Sequence, residues 1–138
     1  MLQKLKNKIP HHHPIRLFHH KMMAVLAAFY YRFPADRMTV IGITGTNGKT
    51  TTCHLLFDIL REAGFKAGML TTADFQIDDQ VFTNNFKMTT LPPFKFQQLL
   101  RWMADRGCTH AVVEVTSHAM DQSRLWGVSV DMAVFTNL

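Results

Sequence analysis

The chain has 138 residues, about one domain's worth, with 47% hydrophobic and 18% charged residues. Eleven Phe, nine Met and two Trp exclude a disordered composition, and seven Gly with two Cys exclude collagen-like and disulfide-scaffold classes. The net charge of +5 is uneven: residues 1–37 hold seven Lys or Arg against one acid, Asp36, while residues 38–138 hold eight basic and nine acidic residues.

Residues 1–14 form a basic, His-rich arm in which Pro10 and Pro14 discourage helix. Such an arm can be a solvated segment, or touch RNA, a membrane surface or an acidic partner. It carries no interleaved aromatic platforms for bases, which speaks against nucleic acid. His11, His12, His13, His19 and His20 could bind a metal, but neither Cys lies nearby to complete a usual zinc set. From Ile15 a helix is expected, because Phe18, Met22, Val25, Leu26, Phe29 and Phe33 recur at three- and four-residue steps. The run Met22–Tyr31 is apolar nearly all round, so this helix needs cover on more than one side. Its ten residues are too few for a membrane span, no secretory leader precedes it, and a cytoplasmic location is expected. Pro34 ends the helix.

Met38–Thr44 reads as a buried parallel strand. Gly45-Thr46-Asn47-Gly48-Lys49-Thr50 follows, and then a helix with Leu56, Ile59, Leu60 and Ala63 on one face, stopped at Gly64. Strand, glycine loop, Lys-Thr and helix form the context of a phosphate-binding loop. Glycines let backbone N–H groups converge on an anion at a helix N-terminus. Lys49 would meet the outer phosphates, and Thr50 would offer its hydroxyl to Mg²⁺. The general spacing is broken, since Ile43 stands where the first glycine belongs and Gly45 is three before Gly48.

Lys66–Thr72 reads as a second strand, and Asp74–Asn84 as a hairpin turning at Asp78-Asp79. A helix begins near Pro93 and buries Phe96, Leu99, Leu100 and Met103. Cys108–Val115 is a third core strand with Glu114 near its end, and Val128–Phe135 a fourth. The cysteines are read as free thiols. The order predicts an α/β fold with a largely parallel sheet, preceded by an N-terminal helix. Gly45–Thr50, Thr89-Thr90 and Glu114–Ser117 should emerge together at the C-terminal strand ends, where ligands bind. Glu114 by itself reads equally as a metal ligand or a strand-end surface carboxylate.

Gly45–Thr52 resembles the ATP-binding loop of the Mur ligase family, which uses this shortened spacing. Folylpolyglutamate synthetases carry a related loop, but usually with Gly-Ser after the Lys, whereas this chain has Thr50-Thr51. Thr89-Thr90-Leu91-Pro92, Glu114–Met120 and Ala133–Leu138 resemble further family segments in the family's order. The resemblance implies an incomplete central domain of P-loop NTPase-like topology. Its boundaries are 1–14 for the arm, 15–37 for helix and linker, and 38–138 for the ATP-binding part.

By that resemblance the chain belongs to an ATP-dependent amide ligase of peptidoglycan-precursor synthesis, which adds the third stem-peptide amino acid to a UDP-linked muramoyl dipeptide through an acyl phosphate. It implies ATP held by Gly45, Thr46, Asn47, Gly48, Lys49, Thr50 and Thr51, with Lys49 catalytic. Mg²⁺ would be held by Thr50 and Glu114, and substrate by Thr89, Thr90, Thr116, Gln122 and Arg124. The implied partners are the UDP-linked peptide, an amino acid and the remainder of the ligase. Thr116 departs from the family's usual Ser. The family's UDP-binding and C-terminal domains find no counterpart in the chain, which by itself is expected to be inactive. A non-catalytic nucleotide-binding remnant, or a fragment of a folylpolyglutamate-synthetase-like ligase, is the rival reading.

Overall fold

Six short strands carry the fold, and β1 (Thr39–Thr44) lies inside their sheet with a parallel neighbour on each side. The computed structural model describes residues 14–83, 91–121 and 123–137. In chain order the elements are α1 (Pro14–Tyr30), a 3-10 turn (Pro34–Arg37), β1, α2 (Lys49–Glu62), β2 (Ala67–Leu70), β3 (Asp74–Ile77), β4 (Gln80–Thr83), α3 (Pro93–Asp105), β5 (His110–Glu114), α4 (Ser117–Asp121) and β6 (Met132–Phe135). The sheet order is β4-β3-β2-β5-β1-β6. β2, β5, β1 and β6 run parallel, while β3 pairs antiparallel with both β2 and β4. The largely parallel α/β fold expected from the order of elements is the observed one.

Side-chain alternation along the strands builds a core on each face. Val40 and Val113 pack with Leu99, Leu100 and Met103 of α3. Ile41, Ile43 and Val112 face the other way, onto Cys53 and Phe57 of α2. Burial on both faces explains why β1 reads as an unbroken apolar run. Each large side chain taken out of water, such as Phe57 or Leu100, contributes about 1.5–3 kcal/mol.

Three expectations are corrected. The inner stripe of α2 is Cys53 and Phe57, flanked by half-buried Leu56 and Leu60, while Ile59 and Ala63 are exposed. At about 100° per residue, Ile59 points roughly 200° away from Phe57. The first helix also ends sooner than its apolar periodicity suggests. Arg32 and Phe33 are left-handed (φ 59° and 50°), and Phe33 N–H donates to Ala28 O at 3.0 Å, closing the helix before Pro34. The last strand is shorter than expected as well. Asp131 precedes it, accepting from Val40 N–H on Oδ2 (2.8 Å) and donating its own N–H to Val40 O (2.9 Å).

Candidate functional site

The parallel register brings three strand ends to one edge. Ile43 is paired with Glu114 of β5, and Thr44 with Phe135 of β6. The loop leaving β1 therefore runs between the end of β5 and the residues just past β6. Ile43 is fully buried in the core on the α2 side. A side chain rather than a glycine stands there because the position is still strand, and the loop begins only at Gly45.

Gly45 has φ +139°, and a Cβ on it would collide with the Thr136 hydroxyl and sit 3.1 Å from Asn137 N. Gly48 has φ +80° with open space around it, so backbone conformation alone requires glycine at this N-cap. Asn137 Oδ1 accepts from both Thr46 N–H (3.0 Å) and Asn47 N–H (3.1 Å), and Thr136 Oγ1 donates to Asn47 O (2.6 Å). Lys49 Nζ donates to Thr46 O at 3.3 Å. Thr52 N–H closes the first helical bond onto Gly48 O (2.9 Å), which leaves the amides of Lys49, Thr50 and Thr51 without intrahelical acceptors. Those amides, the N-terminal end of the helix dipole and the Lys49 ammonium make an anion-attracting corner. Thr46 and Asn47 shape the loop, with their own amides turned to Asn137.

Glu114 faces this corner across the sheet. Its Oε2 accepts from Thr50 Oγ1 (3.0 Å), Thr72 N–H (3.1 Å) and Thr72 Oγ1 (3.3 Å). Thr72 lies just beyond β2, whose Leu70 pairs with Val113, so the register delivers it beside the carboxylate. A carboxylate and a hydroxyl within hydrogen-bond distance supply the hard oxygen donors that Mg²⁺ favours, and the ion would complete its shell with waters and phosphate oxygens. Among the described residues no group of three or more His, Cys, Asp or Glu could form an all-protein metal cage. The donor set fits a cation shared with phosphate.

Cys53 lies buried in the second turn of α2. Burial first, and the negative charge of Glu114 second, push its thiol up to about 12, against a smaller opposing effect of Lys49. Burial likewise raises the Cys108 thiol. Both stay protonated at neutral pH and serve as apolar filling, not as nucleophiles.

The other expected site residues divide. Thr116 Oγ1 accepts from Ala119 N–H (3.3 Å) at the start of α4, and Arg124 Nη1 donates to Leu91 O (3.1 Å). Thr51 is exposed in the first turn of α2. Thr89, Thr90 and Gln122 lie outside the described residues. Thr72, Thr136 and Asn137 were not among the expected site residues. The available signals were their places at C-terminal strand ends and, for the last two, the Ala133–Leu138 segment already noted.

A largely parallel sheet with a glycine loop leading into a Lys-Thr helix start, and a carboxylate on the adjacent strand end, defines an α/β domain of the phosphate-loop type. The Mur ligase middle domain family matches residues 43–138, more than half of the chain, and the chain belongs to that family. It is 43% identical over 118 residues to a UDP-N-acetylmuramoyl-L-alanyl-D-glutamate–2,6-diaminopimelate ligase of Bacillus cereus, covering 86% of this chain and 24% of the relative. A UDP-N-acetylmuramyl-tripeptide synthetase of Roseiflexus is 44% identical over 118 residues, covering 84% and 23%. Among solved structures, a diaminopimelate ligase of the same name superposes with a TM-score of 0.73 at 27% identity, covering 86% of this chain and 24% of that one. A folylpolyglutamate synthetase of Helicobacter pylori superposes at 0.59 and 18% identity, covering 83% and 36%, a likeness of fold alone. The chain spans about a quarter of the length of the curated relatives it matches.

Proposed function

We propose that this chain supplies the ATP-phosphate and Mg²⁺-binding part of a ligase that adds the third stem-peptide amino acid to UDP-N-acetylmuramoyl-dipeptide. The observation that carries this reading is the Thr50–Glu114 pair at the mouth of the glycine loop, beside Lys49. The names of the relatives, diaminopimelate ligase and tripeptide synthetase, support the substrate class. Residues 38–138 would form the ATP-binding unit, with 15–37 as helix and linker and 1–14 as a basic arm.

In this reading a substrate carboxylate oxygen attacks the γ-phosphorus of ATP, the bond to ADP breaks, and an acyl phosphate forms. The incoming amine then attacks the acyl carbon, phosphate leaves, and the amine gives up a proton. Such chemistry depends mainly on neutralising charge around the transferred phosphoryl group. Lys49 and the amides at the start of α2 would hold the phosphates. Thr50 and Glu114 would hold Mg²⁺, whose positive charge would offset the negative charge on the phosphate oxygens. Thr89, Thr90, Thr116, Gln122 and Arg124 would hold the UDP-linked substrate.

The test is calorimetric titration of ATP with and without Mg²⁺, followed by an assay of ADP release in which the chain is combined with the remainder of the ligase, UDP-linked dipeptide and candidate amino acids. Lys49→Ala should weaken ATP binding by about 1.5–3 kcal/mol, the worth of one charge-assisted contact. Unchanged affinity in that variant would remove the role assigned to Lys49. ADP release that ignores the UDP-linked dipeptide would overturn the substrate assignment.

A further inference from the structure

α1 packs against the body with its small residues and turns its large ones outward. Ala24, Ala27 and Ala28 are buried, and the helix lies on α3. The approach is close: a Cβ added at Gly127 would sit only 2.5 Å from that of Ala28. On the opposite side Phe18, Met22, Leu26 and Phe29 are 64, 47, 53 and 62% exposed. Their spacing of four, four and three residues makes one continuous stripe along the outside of the helix. A helix stabilised only by packing on its own domain would show the reverse arrangement.

The charge around the stripe has one sign. Pro14–Tyr30 contains no acidic residue, exposed Lys21 lies one helical step from Phe18, and Lys4, Lys6 and Lys8 precede the helix in the sequence. We propose that α1 and the basic arm before it dock this protein on the surface of an anionic phospholipid bilayer. The 17-residue helix would lie in the plane of the interface, since no described helix is long and apolar enough to cross a membrane. Bulky apolar side chains would enter the acyl boundary while lysines meet lipid phosphates, and each signal reinforces the other. A second copy of the chain suits the stripe less well, because two all-basic segments, each with Lys4, Lys6, Lys8 and Lys21, would be brought together. The remaining residues, 38–138, hold nine acids against eight bases, so the attraction is confined to this end of the chain.

The experiment is co-sedimentation of the 138-residue chain with vesicles of phosphatidylcholine and phosphatidylglycerol (three to one), and with phosphatidylcholine vesicles alone. Binding is expected to the anionic vesicles and to fall by tenfold or more in the neutral ones. Replacing Lys4, Lys6 and Lys8 with Gln should weaken it on the order of a hundredfold. The double variant Phe18→Ser, Leu26→Ser alters only exposed positions, so its melting transition should match the wild type while vesicle binding is lost. Absence of binding to anionic vesicles, or equal binding by the double variant, would overturn the proposal. So would a dimer in analytical ultracentrifugation that the same double variant dissociates.

Discussion

Thr50 Oγ1 donates to Glu114 Oε2 across 3.0 Å, joining the first turn of α2 to the end of β5 over 64 residues of sequence. The hydroxyl proton bridges the two oxygens proposed above as Mg²⁺ donors. Thr50→Val keeps the shape and removes the oxygen. The Mg²⁺-dependent part of ATP affinity, read by calorimetry with and without the ion, should fall at least tenfold, in line with about 1.5–3 kcal/mol for a bond to a charged group. An unaltered response to Mg²⁺ would contradict the assignment.

Thr72 positions that same carboxylate with its amide and its hydroxyl, at 3.1 and 3.3 Å. Thr72→Ser should behave as wild type in Mg²⁺ titrations of ATP binding, because the hydroxyl survives. Thr72→Val should need several-fold more Mg²⁺ to reach half-saturation, with saturating affinity for ATP little changed. Equal behaviour of the two variants would show that the amide alone holds Glu114.

Asn137 offers two separable outcomes. Asn137→Ala removes the shared acceptor of the Thr46 and Asn47 amides, at a net cost of about 0.5–1.5 kcal/mol per bond, and should speed their hydrogen exchange. Asn137→Asp keeps an acceptor in place, so exchange should stay slow. Its negative charge beside the loop should nevertheless weaken ATP binding, increasingly so at low salt.

Cys53 gives a pH prediction with a definite sign. Its thiol is raised from 9.0 to about 12 in the fold, chiefly by burial and secondarily by Glu114. Between those values the unfolded chain has lost a proton that the folded chain retains. The stabilisation is therefore complete below about pH 9 and declines as pH rises, by about 1.4 kcal/mol per unit for one proton. Denaturant melts of wild type and Cys53→Ala should converge above pH 9 although the variant is weaker at pH 7. Parallel pH curves would show that Cys53 contributes no such proton.

The strand, glycine loop and helix start were legible in the sequence because their causes are local. A β-branched run makes a buried strand, glycines permit the turn at Gly45 and Gly48, and Lys49-Thr50 opens a helix, although its inner face is Cys53 and Phe57 and not the expected Ile59 and Ala63. Glu114 could be placed at a strand end, but its partners could not be chosen. Thr50, Thr72 and Asn137 reach the site through parallel strand register, and their hydrogen bonds span 42 to 91 residues. α1 shows the same division. Its periodicity announced a helix, yet a segment apolar on nearly every side carries no internal preference for which side goes in. Close approach decided it: Ala24, Ala27 and Ala28 let the backbone settle onto α3 and Gly127, and the bulky residues were left facing out. Residue chemistry acts over a few positions along the chain, whereas register and steric fit act only once distant segments have met.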